Sequence, residues 1–204
     1  NWKKAEKDLE EALKKKKLNY SLKPQDGAFY GPKIDVHIKD SLGREWQLAT
    51  VQLDFHMPEA FDLKFVKNDG NFERPVMIHR AILGSFERYI GILTEHYQGA
   101  FPLWLNPVQV AVIPITDKHT KFAQKVNDML AQGGIRTELY SQNQTLPAKI
   151  REATLQKIPY LGIIGDKEIE KNTISIRTRD GENLGTIDLS QFLQKIKEEI
   201  DKKV

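Results

Sequence analysis

The sequence contains no cysteine, which excludes disulfides and any zinc site built from cysteines within the chain. No apolar run approaches the roughly 18 residues of a membrane span, and no signal-peptide pattern opens the chain. An excess of one charge is also missing. Lys and Arg total 31 against 28 Asp and Glu, a net of +3, so any basic surface must come from arrangement and not from bulk charge. P-loop, GxGxxG and nucleophile-elbow patterns are absent, as are internal repeats and low-complexity tracts. What is present is an ordinary soluble composition, 40% hydrophobic and 29% charged over 204 residues, enough for one large domain or two small ones. The chain opens Asn1-Trp2 with no methionine, in what reads as mid-helix, so a fragment or processed chain of a cytosolic protein is expected.

The grammar changes once along the chain. Trp2, Ala5, Leu9, Ala12 and Leu13 recur at helical spacing, and the lysines Lys14 to Lys17 suit that helix's C-terminus. Pro24 to Gly27 is a turn. Ile34, Val36 and Ile38 alternate with polar residues as a half-buried strand, and Trp46 to Phe55 reads as a second strand pairing with it. Pro58 to Arg74 is polar, with Asn68-Asp69-Gly70-Asn71 as an exposed turn. A short strand over Val76 to Ile78 precedes a helix from Ser85 to Tyr97. These elements predict an antiparallel sheet in an α+β region. After Pro107, strand and helix alternate: strands at Val108–Ile115, Ile135–Tyr140 and Tyr160–Ile164, with helices between them. A strand and its return follow around Asp180-Gly181, then an amphipathic helix carrying Phe192, Ile196 and Ile200. That order predicts an α/β domain with a mixed, mainly parallel five-stranded sheet and three helices.

Three local features point to chemistry. Ser85 is a good N-cap, which puts Arg88 in the first turn of a helix, where a cation opposes the helix dipole. Either an anion such as phosphate sits above it, or it pairs with a surface carboxylate. Period-2 alternation puts Thr50, Gln52 and Asp54 on one face of a strand and Gln47 on the other, so both glutamines reach one site only if the strand bulges between them. His79 ends an apolar strand; it is either a metal ligand or a satisfied structural histidine. No other histidine has ligand spacing to it, so a complete local zinc site is not expected.

The stretch Pro75-Val76-Met77-Ile78-His79-Arg80, through Gly84-Ser85-Phe86-Glu87-Arg88 to Gly91, resembles the third signature motif of class II aminoacyl-tRNA synthetases, and more narrowly the bacterial-type threonyl-tRNA synthetases. Phe29-Tyr30-Gly31-Pro32-Lys33, Trp46-Gln47 with Thr50 to Phe55, Ala148 to Glu152 and Gly165 to Glu168 are similar to the same family. The resemblance covers essentially the whole chain. It implies that residues 1–105 are the C-terminal part of a class II catalytic domain and 106–204 an anticodon-binding domain. It further implies that Arg88, Lys33 and Gln47 contact ATP, Arg88 being the catalytic cation on the phosphates. Tyr30 and Gln52 would line the threonine pocket, and His79 would be one of three protein ligands of a zinc ion. Asn143, Arg151, Glu168 and Arg177 would read anticodon bases, work suited to amide, carboxylate and guanidinium groups. ATP-Mg2+, threonine and threonine tRNA are the implied partners, with a homodimer as the full-length form and a cytoplasmic location.

Two departures qualify the resemblance. The loop Ser141 to Thr145 carries no Lys or Arg where relatives often place them, and Leu48 stands where some relatives have a cysteine. The family's first two motifs, two zinc ligands and the editing domain are not in this chain, so it is expected to be inactive alone. A non-catalytic RNA-binding accessory or regulatory protein is one competing reading, against which Arg88, Gln47, Tyr30 and His79 argue, and a plain α/β binding domain for a small ligand or protein is another.

Overall fold

The computed structural model describes residues 2–203. The chain forms two compact units, one up to His96 and one from Tyr97. In the first, α1 (Trp2–Lys15) ends on two lysines, and Lys17 turns the chain away with a left-handed φ of 54°. Trp2 Nε1 donates to Glu6, and Glu10 pairs with Lys14 at 2.7 Å, both across one helical turn. The strands β1 (Lys33–Lys39) and β2 (Glu45–Asp54) then pair antiparallel through a turn organised by Asp40. Its Oδ1 accepts from the Leu42 and Arg44 amides, and its Oδ2 from Arg44 Nε at 2.6 Å and Trp46 Nε1 at 2.8 Å.

The polar stretch after β2 holds more structure than its composition suggests. A short helix, α2 (His56–Ala60), begins where Asp54 Oδ1 accepts the His56 and Met57 amides. Two-residue strands β3 (Phe65–Val66) and β4 (Phe72–Glu73) then flank the expected turn, with Gly70 at φ 80°. The strand β5 (Met77–Ala81) pairs antiparallel with β2, giving the sheet order β1-β2-β5. The helix α3 (Phe86–Tyr97) follows, its Arg88 amide donating to Ser85 Oγ at 3.2 Å as an N-cap requires.

The second unit contains β6 (Val110–Pro114), a 3-10 turn (Asp117–His119), α4 (Thr120–Gln132), β7 (Thr137–Leu139), α5 (Leu146–Leu155), β8 (Tyr160–Ile164), α6 (Asp166–Lys171), β9 (Thr173–Thr178), β10 (Asn183–Asp188) and α7 (Leu189–Lys202). The sheet order is β10-β9-β8-β6-β7; β6 is parallel to β7 and β8, while β9 is antiparallel to both β8 and β10. The fourth helix, α6, departs from the expected three. The Glu168 carboxylate accepts the Gly165 amide at 3.0 Å to start it, and Asn172 ends it at φ 53°. Core side chains cover both sheet faces, Val112, Leu130, Phe192 and Ile196 in one cluster and Ile113, Ala153, Ile158 and Leu161 in the other.

Residues 97–106, which the sequence grammar joins to the first region, are tied to the second unit. The Arg136 guanidinium donates to the Trp104 and Asn106 carbonyls, Gln109 to Leu103, and Arg179 to Phe101. The two units differ in kind. Among the described residues, nineteen of the 22 buried hydrophobic ones lie in the second, and only Ala5, Leu48 and Ile92 in the first. Phe29, Ile78, Ile82, Phe86 and Ile90 of the first unit are exposed, so the second unit alone carries an ordinary hydrophobic core.

Candidate functional site

The register of the first sheet builds a polar face. Lys33 pairs with Gln52, and Gln52 with His79, so these three form one cross-strand row; Asp35 and Thr50 form the next. Gln47 belongs on the opposite face by strict alternation. The register moves by one between Val36 and His37, where Ala49 and Gln47 are their partners and Leu48 has none. Leu48 is thus a bulge, and it turns Gln47 onto the face of Thr50 and Gln52. Gly84, at φ 70°, lies against this bulge: a Cβ there would stand 3.0 Å from the Leu48 carbonyl oxygen.

Asp35 gathers the first group of side chains. Its Oδ1 accepts from Gln47 Nε2 at 2.6 Å and Thr50 Oγ1 at 2.8 Å, and its Oδ2 from Lys33 Nζ at 2.5 Å. The hydrogen bond to Asp35 holds the Lys33 ammonium above the ordinary lysine range. Arg88 reaches this group from α3, its Nη1 donating to the Gln47 carbonyl at 2.9 Å and its guanidinium lying 5.8 Å from the centre of the Trp46 ring. The second group is Tyr30, Gln52 and His79. Tyr30 Oη donates to Gln52 Oε1 at 2.7 Å, and its ring meets the His79 ring edge-on at 6.1 Å. Tyr30 is held by backbone: Phe55 N donates to its carbonyl, and Leu53 N to that of Pro32.

His79 Nε2 lies 2.7 Å from Asp54 Oδ2, and Asp54 is buried. Burial alone raises the Asp54 pKa, but bonds from the Met57 amide, His79 and the His56 amide outweigh it and hold it below the ordinary value. A half-exposed imidazole backed by a buried carboxylate is the donor arrangement of a metal-binding histidine. Among the described residues no group of three or more His, Cys, Asp or Glu gathers to hold a metal. The donor chemistry therefore fits one ligand of a shared site, and no more.

In the second unit, Asn143 lies in the loop before α5, Arg151 on the exposed side of α5, Glu168 on α6 and Arg177 on β9. No hydrogen bond or ion pair among the described residues joins the four. Arg177 pairs with Leu161, three residues before the end of β8, while Glu168 follows that end, so the two backbones are on the order of 10 Å apart or more along the sheet. One Glu168 oxygen is engaged by the Gly165 amide. The four stand on four different segments of the second unit, with no such contact gathering them into a cluster.

Sequence reasoning missed three residues. Asp35 sits in an alternating strand like any exposed acid, and nothing local marks its three donors. Asp54 lies in a quoted motif, but its role as both helix cap and histidine partner needed β5 beside β2. Lys149, which the sequence reading met only inside the stretch Ala148 to Glu152, is buried, with Nζ donating to the Pro114 carbonyl at 3.1 Å.

Comparison with known proteins bears on the family and the fold. Residues 2–97 match the family model of the tRNA synthetase class II core domain (G, H, P, S and T), and residues 109–199 that of the anticodon binding domain. The threonine–tRNA ligase of Caldanaerobacter subterraneus subsp. tengcongensis is 53% identical over 199 residues, 98% of this chain and 31% of that protein. That of Desulforamulus reducens is 52% identical over 202 residues, 99% of this chain and 32% of that protein. The crystal structure of the RNA binding domain of threonyl-tRNA synthetase from Cryptosporidium parvum Iowa II superposes with a TM-score of 0.88 at 38% identity, over 97% of this chain and 50% of that one. The chain spans about a third of the length of the curated relatives it matches. On these grounds the chain belongs to the threonyl-tRNA synthetase family of class II aminoacyl-tRNA synthetases, as a core-domain region followed by an anticodon-binding region.

Proposed function

We propose that this chain supplies part of the active site and the anticodon-reading surface of a threonine–tRNA ligase. In the full enzyme, the threonine carboxylate attacks the α-phosphorus of ATP-Mg2+, pyrophosphate leaves, and threonine then passes to the 3′ end of its tRNA. Such chemistry is mainly positioning and charge stabilisation. Arg88 meets the phosphates, and Lys33 and Gln47, both steered by Asp35, hold the nucleotide. Tyr30 and Gln52 line the threonine pocket. His79 would contribute one ligand to a zinc ion whose other ligands lie outside the chain, and such an ion would supply the Lewis-acid site that tells threonine from valine by its hydroxyl group. The first unit, up to His96, serves catalysis. The second unit, from Tyr97, reads the tRNA through Asn143, Arg151, Glu168 and Arg177. The working enzyme is a cytoplasmic homodimer. Among the described residues no helix is long and apolar enough to cross a membrane.

The observation that carries this reading is the Leu48 bulge, because it brings Gln47 onto the face of Gln52 and under Arg88. Pyrophosphate exchange driven by threonine tests it. In the full-length enzyme Arg88→Ala should lower the exchange rate by about 10²–10³-fold, the usual cost of one charge-stabilising donor. The 204-residue chain alone should show no exchange. An Arg88→Ala enzyme with its rate intact, or exchange by the isolated chain, refutes the proposal.

A further inference from the structure

We infer that Asp54 is a positioning residue that holds His79 as its Nε2–H tautomer and so presents the Nδ1 lone pair to a divalent metal. This rests on the zinc-ligand role proposed for His79.

The proton can be placed by counting acceptors. Asp54 Oδ1 accepts two backbone N–H groups, from His56 at 2.8 Å and Met57 at 2.9 Å. Its Oδ2 faces only His79 Nε2, at 2.7 Å. A carboxylate so engaged is an anion and only accepts, so the shared proton sits on Nε2. His79 makes no second hydrogen bond within the described residues, which leaves Nδ1 as the ring's free lone pair. Metals bind the deprotonated nitrogen, and a carboxylate on the far nitrogen fixes both tautomer and ring plane.

The sheet makes this geometry rigid. Asp54 is the diagonal cross-strand neighbour of His79, because Gln52 is paired directly with His79 and Asp54 with Met77. The same carboxylate starts α2, so its rotamer is locked from the other side. The edge-on Tyr30 ring then limits the tilt of the imidazole.

Asp54→Asn separates this role from a structural one. The amide oxygen can still accept the His56 and Met57 N–H groups, so the helix cap survives. The amide NH2 then donates to Nε2 and forces the proton onto Nδ1, as the same exchange does in serine-hydrolase triads. The first measurement is a two-bond 1H–15N correlation spectrum of the 15N-histidine-labelled 204-residue chain, at a pH where imidazole is neutral. The wild-type His79 should give the Nε2–H pattern and Asp54→Asn the Nδ1–H pattern. The second is zinc affinity of the full-length enzyme by chelator competition, where Asp54→Asn should lose about 10–100-fold with thermal stability kept. A wild-type Nδ1–H pattern overturns the inference without any variant. So does unchanged zinc affinity in Asp54→Asn. A wild-type full-length enzyme that binds no zinc, with the Nε2–H pattern intact, refutes the zinc reading itself and leaves the tautomer standing.

Discussion

Gly31→Ala places one methyl group where two strands of backbone meet. A Cβ on Gly31 would lie 2.0 Å from the Leu53 carbonyl oxygen and 2.8 Å from its carbon. That is about 1.5 Å short of the roughly 3.5 Å at which carbon contacts become favourable. Both obstacles are main chain, so no side chain can swing aside. The Tyr30–Pro32 segment must lift from β2, and with it go the Leu53 N to Pro32 O and Phe55 N to Tyr30 O bonds, at 3.1 and 3.0 Å. Two such bonds contribute about 1–3 kcal/mol in all. With overpacking strain, the expected cost is about 2–4 kcal/mol. Tyr30 moves too, and its bond to Gln52 breaks. Native-state hydrogen exchange at the Leu53 and Phe55 amides reads this directly: their opening free energies should fall by that amount. Gly91→Ala is the control, since Gly91 lies within α3 with nothing within 4 Å of its Cβ position. There the same change should stabilise by up to about 1 kcal/mol. Amide protection at Leu53 and Phe55 unchanged within about 0.5 kcal/mol in Gly31→Ala would refute the reasoning.

Three further outcomes are expected. Phe192→Ala empties the centre of the second core, where the ring is fully buried and meets Tyr160 edge-on at 5.8 Å, and should cost about 3–5 kcal/mol in denaturant unfolding. Asp40 feels burial that raises its pKa, but the Trp46 and Arg44 bonds win and bring it to about 2, below its ordinary 3.8. A depressed folded-state pKa contributes stability that is complete above the unfolded value and lost as pH falls from about 4 through about 2. Asp40→Asn should flatten that acid limb of the stability profile, and an unaltered limb counts against the assignment. Arg177→Ala should weaken binding of threonine tRNA at fixed moderate salt while circular dichroism is unchanged; equal affinity for wild type and variant argues against base reading at this position.

Much of the fold was legible from local signals. The change of grammar near Pro107, the pairing of β1 with β2 and the β-α-β order after Pro107 all follow from hydrophobic period and turn residues, which act within a few positions. The Ser85 cap and the first-turn placement of Arg88 were equally local. The Gln47 and Gln52 problem was legible only as a condition. Alternation separates them, and the unpaired Leu48 that reunites them depends on how β1 meets β2. The helix α2 was read as part of a polar stretch because the carboxylate that starts it, Asp54, belongs to the preceding strand, and the strands β3 and β4, two residues each, are too short to show an alternating pattern.

The sequence by itself determined which residue types are available and where the strongly patterned elements lie: a strand bearing glutamines and an arginine in a helix's first turn; the histidine read at a strand end is the middle residue of β5. The sequence also excluded disulfides and zinc held by cysteines of this chain. Tertiary structure decided which of these groups share a face and what each does to its neighbour. Asp35 became the partner of Lys33, Gln47 and Thr50, and Asp54 the partner of His79, through strand register. Residues 97–106 joined the second unit through Arg136, Gln109 and Arg179. The physical reason is range. Propensity and capping act over one turn or one strand, whereas a carboxylate's charge and hydrogen bonds act on whatever the sheet brings within about 3 Å.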